Sequence, residues 1–370
     1  MNILILNWRD IKNPLSGGAE ISLFEHAKYW QKKGAHIIWF ASSFKGAKKE
    51  EHIENIIIIR RGSHYTVYIY ALFFYLRYLK NKVDVVVDNF HFIPFFTPLY
   101  IKRKKIVALI NEPAKSLWFK NIFFPLSLIG YVIEPLFFLF YKNISFITSA
   151  NSIMSELEEF GIKKQRINVI PHGVTISNKK KKLSKEKNPV IIYLSQVSPD
   201  KGIEDAIRAF FIIHKTRKNV KLWVVGKAKD RKYELYIKKF AEKLNLKDSI
   251  VFFGFVEEEK KFDLLKKSWV LIHTSLKEGW GLNVIEANAM RTIAVAYNVT
   301  GLRDSIQDGI TGVLTKSNSP EAIAESIKTL INDSLKYKFL SRNAYNWAKS
   351  FSWEGSGMLS WSLLSNYVKK

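Results

Sequence analysis

Two carboxylates with seven residues between them offer the clearest chemistry in this chain: Glu278-Gly279-Trp280-Gly281-Leu282-Asn283-Val284-Ile285-Glu286. The two glycines let a backbone approach a ligand closely. A helix opening after them presents free N–H groups and a partial positive charge, which suits a phosphate. Glu286, read as lying in the first turn of that helix, can accept hydrogen bonds from two neighbouring hydroxyls, as on a ribose. Glu278 precedes the helix, so the two acids need not share a role. A capped helix after an ordinary glycine turn is the structural alternative.

Other segments place polar or cationic groups after short apolar runs. Gly17-Gly18-Ala19-Glu20 follows the run at 3–6, and either approaches a phosphate or makes a tight turn before a capped helix. Ser195-Gln196-Val197-Ser198-Pro199-Asp200-Lys201-Gly202 follows 190–194 and carries a cation, Lys201. His91 follows 83–87 with Asp88 as a polar neighbour, and Asn111-Glu112 follows 106–110. Each also has a plain loop or cap reading. Among the eight His there is no HExxH pair, so no metal site is expected. Zero Cys excludes disulfides, iron–sulfur clusters, thiolate zinc and a cysteine nucleophile. Gly-x-Ser-x-Gly, the Walker loop and Gly-x-Gly-x-x-Gly are absent, which argues against a nicotinamide dehydrogenase.

These residues need strands to deliver them. The runs 3–6, 37–40, 83–87, 106–110 and 146–148 read as strands, with helices near 19–33, 68–80 and 151–160. The alternation repeats: strands at 190–194, 221–225, 250–252, 270–272 and 293–296, helices near 203–214, 233–244, 257–266 and 284–290. Strands alternating with helices imply parallel sheets. The 370 residues fit about two domains, and 47% hydrophobic with 25% charged residues fits a folded globular chain. The Lys-dense stretch 178–188 reads as a linker. The expected organisation is an N-terminal domain over 1–175 and a C-terminal domain over 189–350. A helix over 351–370 packs across both, and the two domains face a central cleft. Residues 1–7 read as a buried strand rather than a signal peptide, because the apolar run is short and Trp8-Arg9-Asp10 ends it.

Acid, seven residues, acid with an internal Gly-x-Gly resembles the signature of retaining glycosyltransferases of the GT-B fold, family four. Gly301-Leu302, Asp308-Gly309 and Thr311-Gly312-Val313-Leu314 fit the family's later loops. Gly17–Glu20, Val169-Ile170-Pro171-His172-Gly173-Val174 and Ser195–Gly202 fit its earlier ones. The resemblance runs in order from about residue 3 to 315 and implies an α/β fold of two Rossmann-like, doubly wound domains, 1–175 on the acceptor side and 189–350 binding the nucleotide sugar. It implies that Gly17, Gly18, Gln196, Lys201, Gly281, Leu282, Asn283, Val284 and Glu286 bind a nucleotide diphosphate sugar. Glu278, His91 and Lys201 then carry the catalytic roles, with no metal and no cofactor beyond the donor substrate. The sequence departs from the family at Gln196, where Arg is usual, and at Ser195, Asn283 and Arg291. Gln brings no charge, and a charge-assisted hydrogen bond is roughly twice as strong as a neutral one. Lys201 is then the main fixed cation, with Arg303 and Lys227 as further candidates.

The chain carries 58 Lys plus Arg against 33 Asp plus Glu, a net charge of +25, which calls for an anionic partner or a solvated surface. The first domain is rich in aromatics at 65–78, 90–100 and 118–141, beside Lys102-Arg103-Lys104-Lys105 and Lys32-Lys33. That pairing suits an anionic membrane surface and a glycan or lipid-linked acceptor, with the protein cytoplasmic and peripheral on the inner face. Residues 123–141 have the length of a span but contain Pro125, Glu134 and Pro135, which favours a buried or interfacial helix. The competing class is a non-catalytic basic protein that binds nucleic acid or anionic membrane. Glycines and acids on strand-to-helix turns argue against nucleic acid, which needs neither.

Overall fold

The computed structural model describes residues 1–175 and 184–368. The chain divides into two compact units, Met1–Gly173 with Ser352–Lys370, and Val174–Phe351. The expected linker at 178–188 lies largely outside the described residues.

Unit 1 runs β1 (Asn2–Leu6), α1 (Gly18–Lys32), β2 (His36–Ala41), β3 (Glu50–Ile53), β4 (Ile56–Arg60), α2 (Val67–Phe74), β5 (Val85–Phe90), β6 (Ile106–Ile110), α3 (Leu117–Asn121), α4 (Leu126–Tyr141), β7 (Ser145–Thr148), α5 (Asn151–Glu159) and β8 (Ile167–Val169). Its eight strands lie in the order β3-β4-β2-β1-β5-β6-β7-β8, parallel except for the β3–β4 hairpin. Every residue of β5 and β6 is buried, as expected for parallel strands covered on both faces. Helix α1 ends where Gly34 takes φ +88°, a conformation that costs glycine little. The late helix α13 (Trp353–Val368) returns to unit 1 and packs on α1. Trp30 Nε1 donates to Ser360 Oγ at 2.9 Å, and Leu364 is buried in the unit 1 core.

Unit 2 runs β9 (Val190–Leu194), α6 (Ile203–Thr216), β10 (Lys221–Val225), α7 (Arg231–Lys243), β11 (Ile250–Gly254), α8 (Glu258–Lys267), β12 (Val270–His273), α9 (Leu282–Ala289), β13 (Ile293–Ala296), α10 (Leu302–Ser305), β14 (Gly312–Leu314), α11 (Pro320–Asn332) and α12 (Ser334–Ala348). The strand order is β11-β10-β9-β12-β13-β14, all parallel. Ile207 and Phe210 of α6 and Ile323 and Ile327 of α11 close over Ile191, Leu222 and Ile272.

In each unit the strand order reverses beside its first strand, between β1 and β5 and between β9 and β12. In open α/β sheets ligands bind outside the carboxyl ends of the strands at such a reversal. The loops at these reversals are 7–17 and 91–100 in unit 1, and 195–202 and 274–281 in unit 2.

Candidate functional site

In unit 2 the two loops at the reversal are fastened together by backbone. Gly202 sits at φ +69°, and a Cβ there would lie 2.0 Å from the Thr274 carbonyl oxygen. Thr274 Oγ1 donates to the Gly202 carbonyl at 2.7 Å, and the Leu276 N–H donates to the Asp200 carbonyl at 3.0 Å. Beneath them the buried Tyr193 donates its hydroxyl to the carbonyls of Gln196 (3.0 Å) and Lys201 (3.2 Å). Gly301, at φ +79°, lets the next turn close on the Glu278 carbonyl, which a Cβ would meet at 2.2 Å.

This fastening brings Lys201 and Glu278 together, 77 positions apart in sequence. Lys201 Nζ donates to Glu278 Oε1 at 2.8 Å, and both side chains are mostly covered. Burial pushes the Glu278 carboxyl upward. The charge of Lys201, the neighbouring His273 and hydrogen bonds from Lys201 and Ser275 outweigh it, so the group sits below its usual range. His273 Nε2 lies 3.8 Å from Glu278 Oε1 and donates to Asn283 Oδ1 at 3.1 Å; burial holds the imidazole toward its neutral form. Asn283 in turn donates Nδ2 to the Leu194 carbonyl at 2.6 Å. Its side chain therefore ties α9 to β9. The expectation at Val284 is also revised, since its N–H donates to the Gly281 carbonyl at 2.9 Å. Gly281 caps α9 at φ +84°, and Leu282 is the first helical residue.

Glu286 lies in the second turn of α9 rather than the first, because the helix begins at Leu282. It faces α8, where Lys261 Nζ donates to Glu286 Oε1 at 2.5 Å. Burial pushes this carboxyl up, against the pull of Lys261. Gln196 is exposed at the loop tip. Arg303 is committed to Asn298, through Nε to Oδ1 at 2.6 Å and Nη2 to the carbonyl at 3.1 Å. Lys227 lines a cavity of about 220 Å³ with Val197, Gly226, Phe252, Gly254 and Phe255, beyond the carboxyl ends of β9, β10 and β11.

Unit 1 furnishes its reversal differently. Gly17 is the N-cap of α1, and its N–H donates to Glu20 Oε2 at 2.8 Å, so that amide is engaged by the helix itself. Gly17 and Gly18 have no positive φ, and a Cβ on either would meet nothing within 4 Å. The fold thus makes no demand for glycine there. Glu20 is buried and paired with Arg9 at 3.3 Å; burial raises its carboxyl, against Arg9 and the Gly17 N–H. The Arg9 guanidinium lies over Trp8 at 4.0 Å, and His91 stacks on the same indole, with centroids 4.7 Å apart and planes 17° apart. His64 meets Trp8 edge-on at 5.2 Å. Asp88 is fully buried and accepts from Thr97 Oγ1 (2.6 Å), from the N–H groups of Phe95 and Thr97, and from the Tyr141 hydroxyl. Asn111 lines a water-sized cavity with Ser22, His26, Thr148, Ser149 and His172.

The side chains that sequence reasoning missed are Lys261, His273, Trp8 and Glu20. Only Glu20 carried a local signal, an acid three residues after a helix cap.

The C-terminal part, residues 175–347, matches the family described as "Glycosyl transferases group 1". Residues 16–178 match "Glycosyltransferase Family 4". An uncharacterized glycosyltransferase of Methanocaldococcus jannaschii is 26% identical over 93% of this chain and 93% of its own. The capsular polysaccharide biosynthesis glycosyltransferase CapM of Staphylococcus aureus is 32% identical over 40% of this chain and 37% of its own. Among solved structures, HepE of Anabaena in complex with UDP-glucose superposes with a TM-score of 0.76 at 19% identity, covering 99% of this chain and 100% of that one.

Proposed function

The chain belongs to family 4 of the GT-B glycosyltransferases, and from that premise we propose that it moves a hexosyl group from a nucleotide diphosphate sugar to a glycan or lipid-linked acceptor, with retention at the anomeric carbon. The observation that carries this reading is the Lys201–Glu278 pair, held by backbone at the strand reversal of unit 2. Lys201 offers its charge to the diphosphate, where negative charge grows as the bond to the anomeric carbon breaks. Glu278, kept ionised by Lys201 and His273, accepts a sugar hydroxyl and orients the donor. The acceptor oxygen bonds to the anomeric carbon on the face the diphosphate leaves, and the acceptor proton passes to a phosphate oxygen. Leu282, with the backbone at Gly281 and Asn283, faces the diphosphate. Glu286, positioned by Lys261, holds the ribose, and the cavity at Gly226, Phe252 and Phe255 takes the base. Gln196 donates a neutral hydrogen bond where a cation is usual. Gly17, Gly18 and His91 keep the roles that the family resemblance gives them. The UDP-glucose bound to HepE and the capsule assembly named for CapM support a nucleotide-sugar donor and a glycan acceptor.

A melting panel with UDP, GDP, ADP and CMP and their sugar conjugates tests the donor site. A ligand at about 100 times its Kd adds about 2.7 kcal/mol to stability. One nucleotide raises Tm, and Glu286→Ala removes the rise while leaving the ligand-free Tm close to the parent's. An undiminished rise in Glu286→Ala refutes the ribose assignment. Anomeric NMR of the product then reads retention directly.

A further inference from the structure

We propose that unit 1 lies on the surface of an anionic lipid bilayer through the outward faces of α2 and α4. Helix α4 is inside out. The buried positions of α4 are Ser127, Gly130, Glu134, Phe137, Phe138 and Tyr141, a stripe at helical spacing whose first half is small or polar. That orientation is fixed. Glu134 accepts from the N–H groups of Ala114 (2.6 Å) and Lys115 (2.7 Å) and from Trp118 Nε1 (3.1 Å). Gly130 lies so close to the Trp118 ring that a Cβ would fall 2.2 Å from it. The helix cannot roll to hide its other side, and that side is apolar. Ile129, Val132, Leu136 and Leu139 are exposed, Val132 by 61%, and α4 presents no charged residue to solvent.

Helix α2 adds a second exposed apolar face. Its Ile69 and Phe73 are exposed by 58% and 64%. Tyr68 packs on Phe95 (4.8 Å) and Phe96 packs on Phe137 (5.3 Å), so α2 and α4 flank one loop. Exposed apolar area of this extent marks an interaction site. The occupant follows from charge and length. Between Tyr65 and Lys142 the chain has ten Lys or Arg against four Asp or Glu, and two of those acids, Asp88 and Glu134, are buried. Arg77 and Lys80 follow α2, while Lys120 and Lys142 bracket α4, all exposed. A second copy would set this excess against itself, whereas anionic headgroups complement it. At 16 residues α4 is about 24 Å long, short of the roughly 30 Å hydrocarbon core, and among the described residues no helix is long and apolar enough to cross a membrane. The helices therefore lie in the interface plane, with their apolar sides among the acyl chains and the Lys and Arg at headgroup level.

The test is co-sedimentation of the full chain with vesicles of phosphatidylcholine alone, and with about a third phosphatidylglycerol. Binding to the anionic vesicles, at least about tenfold above the neutral ones and weakened by salt, is expected. Val132→Glu combined with Leu136→Glu lowers that binding at least about tenfold, while Leu335→Glu, an exposed unit 2 position, does not. Ile69→Glu with Phe73→Glu repeats the test on α2 should the α4 variant melt early. Equal binding of neutral and anionic vesicles, or none to either, overturns the proposal. So does a parent chain that dimerises and loses its dimer in the α4 variant. The nucleotide melting panel, run on the same variants without vesicles, reads the donor site separately, so either reading can fail alone.

Discussion

The two strand reversals are furnished for different work. In unit 2 the groups are fixed point charges: Lys201 against Glu278, with His273 and Asn283 behind them, on loops locked by Gly202, Gly301 and the Thr274 and Leu276 hydrogen bonds. In unit 1 they are planar and broad: Trp8 between Arg9 and His91, with His64 at its edge, beside two glycines that nothing crowds. Point charges held by backbone suit a small, highly charged group whose charge grows during reaction, because they need no reorganisation as it grows. Stacked planes and bare backbone suit contact with a larger, less charged surface. The contrast predicts that substitutions of the unit 2 charges fail in turnover, and that unit 1 substitutions fail in stability or in binding.

The largest effect expected is from Lys201→Ala, about 10²–10³-fold in kcat, by analogy with losing one preorganised electrostatic donor. Burial then acts on Glu278 with its main countercharge gone, so the carboxyl rises from its depressed value and the acidic limb of the pH–rate profile moves up. Steady-state kinetics against pH read both, with Lys201→Arg as a partial rescue. A kcat within twofold of the parent breaks the comparison at its stronger half.

The next effect belongs to unit 1 and to acid. His26 shares a hydrogen bond with Ser360 (2.9 Å) and His172 one with Ser22 (2.7 Å), all buried. Burial lowers His26 to about 4, and burial with the neighbouring His26 lowers His172 to about 3, from 6.5. Well above pH 6.5 both are neutral in folded and unfolded chains, and no stability is lost. As pH falls toward 4 the unfolded chain takes up protons that the folded chain refuses, so stability falls with pH and levels only below the folded values. His26 alone costs about 2 kcal/mol by about pH 5. Denaturant unfolding from pH 7.5 to 4.5 reads this, and His26→Gln flattens the slope. An unchanged slope shows that this polar seam between α1 and α13 carries no titrating load.

What was legible in the sequence follows the same divide. Strands such as β6 and β12 are continuous apolar runs, and the loops after β9 and β12 carry their cation and acid in short local motifs. The partner of Glu286 was not legible, because Lys261 sits on α8 and meets it only through α8–α9 packing. Asp88 read as a polar neighbour of His91 because nothing local shows that Thr97 and Tyr141 converge on it. A buried or interfacial helix over 123–141 was expected, but which side faces in was not legible. Hydrophobicity points to the wrong side, and the choice is made by Glu134 capping a distant backbone.

The smallest expected effect is the sharpest test of unit 1. Gly202→Ala and Gly18→Ala are the same substitution at the two reversals. At Gly202 the φ of +69° and the Thr274 carbonyl oxygen at 2.0 Å forbid a Cβ, so the variant loses stability and its catalytic defect follows from that. At Gly18 the space is open and the residue opens α1 with no positive φ, so Ala fits there without strain and narrows the freedom of the unfolded chain. Gly18→Ala therefore melts at or slightly above the parent temperature. If its bare backbone receives the diphosphate, the added methyl raises the donor KM several-fold with kcat nearly intact. A variant that is more stable and fully active shows that the open space at Gly18 serves no ligand, and leaves donor recognition to unit 2.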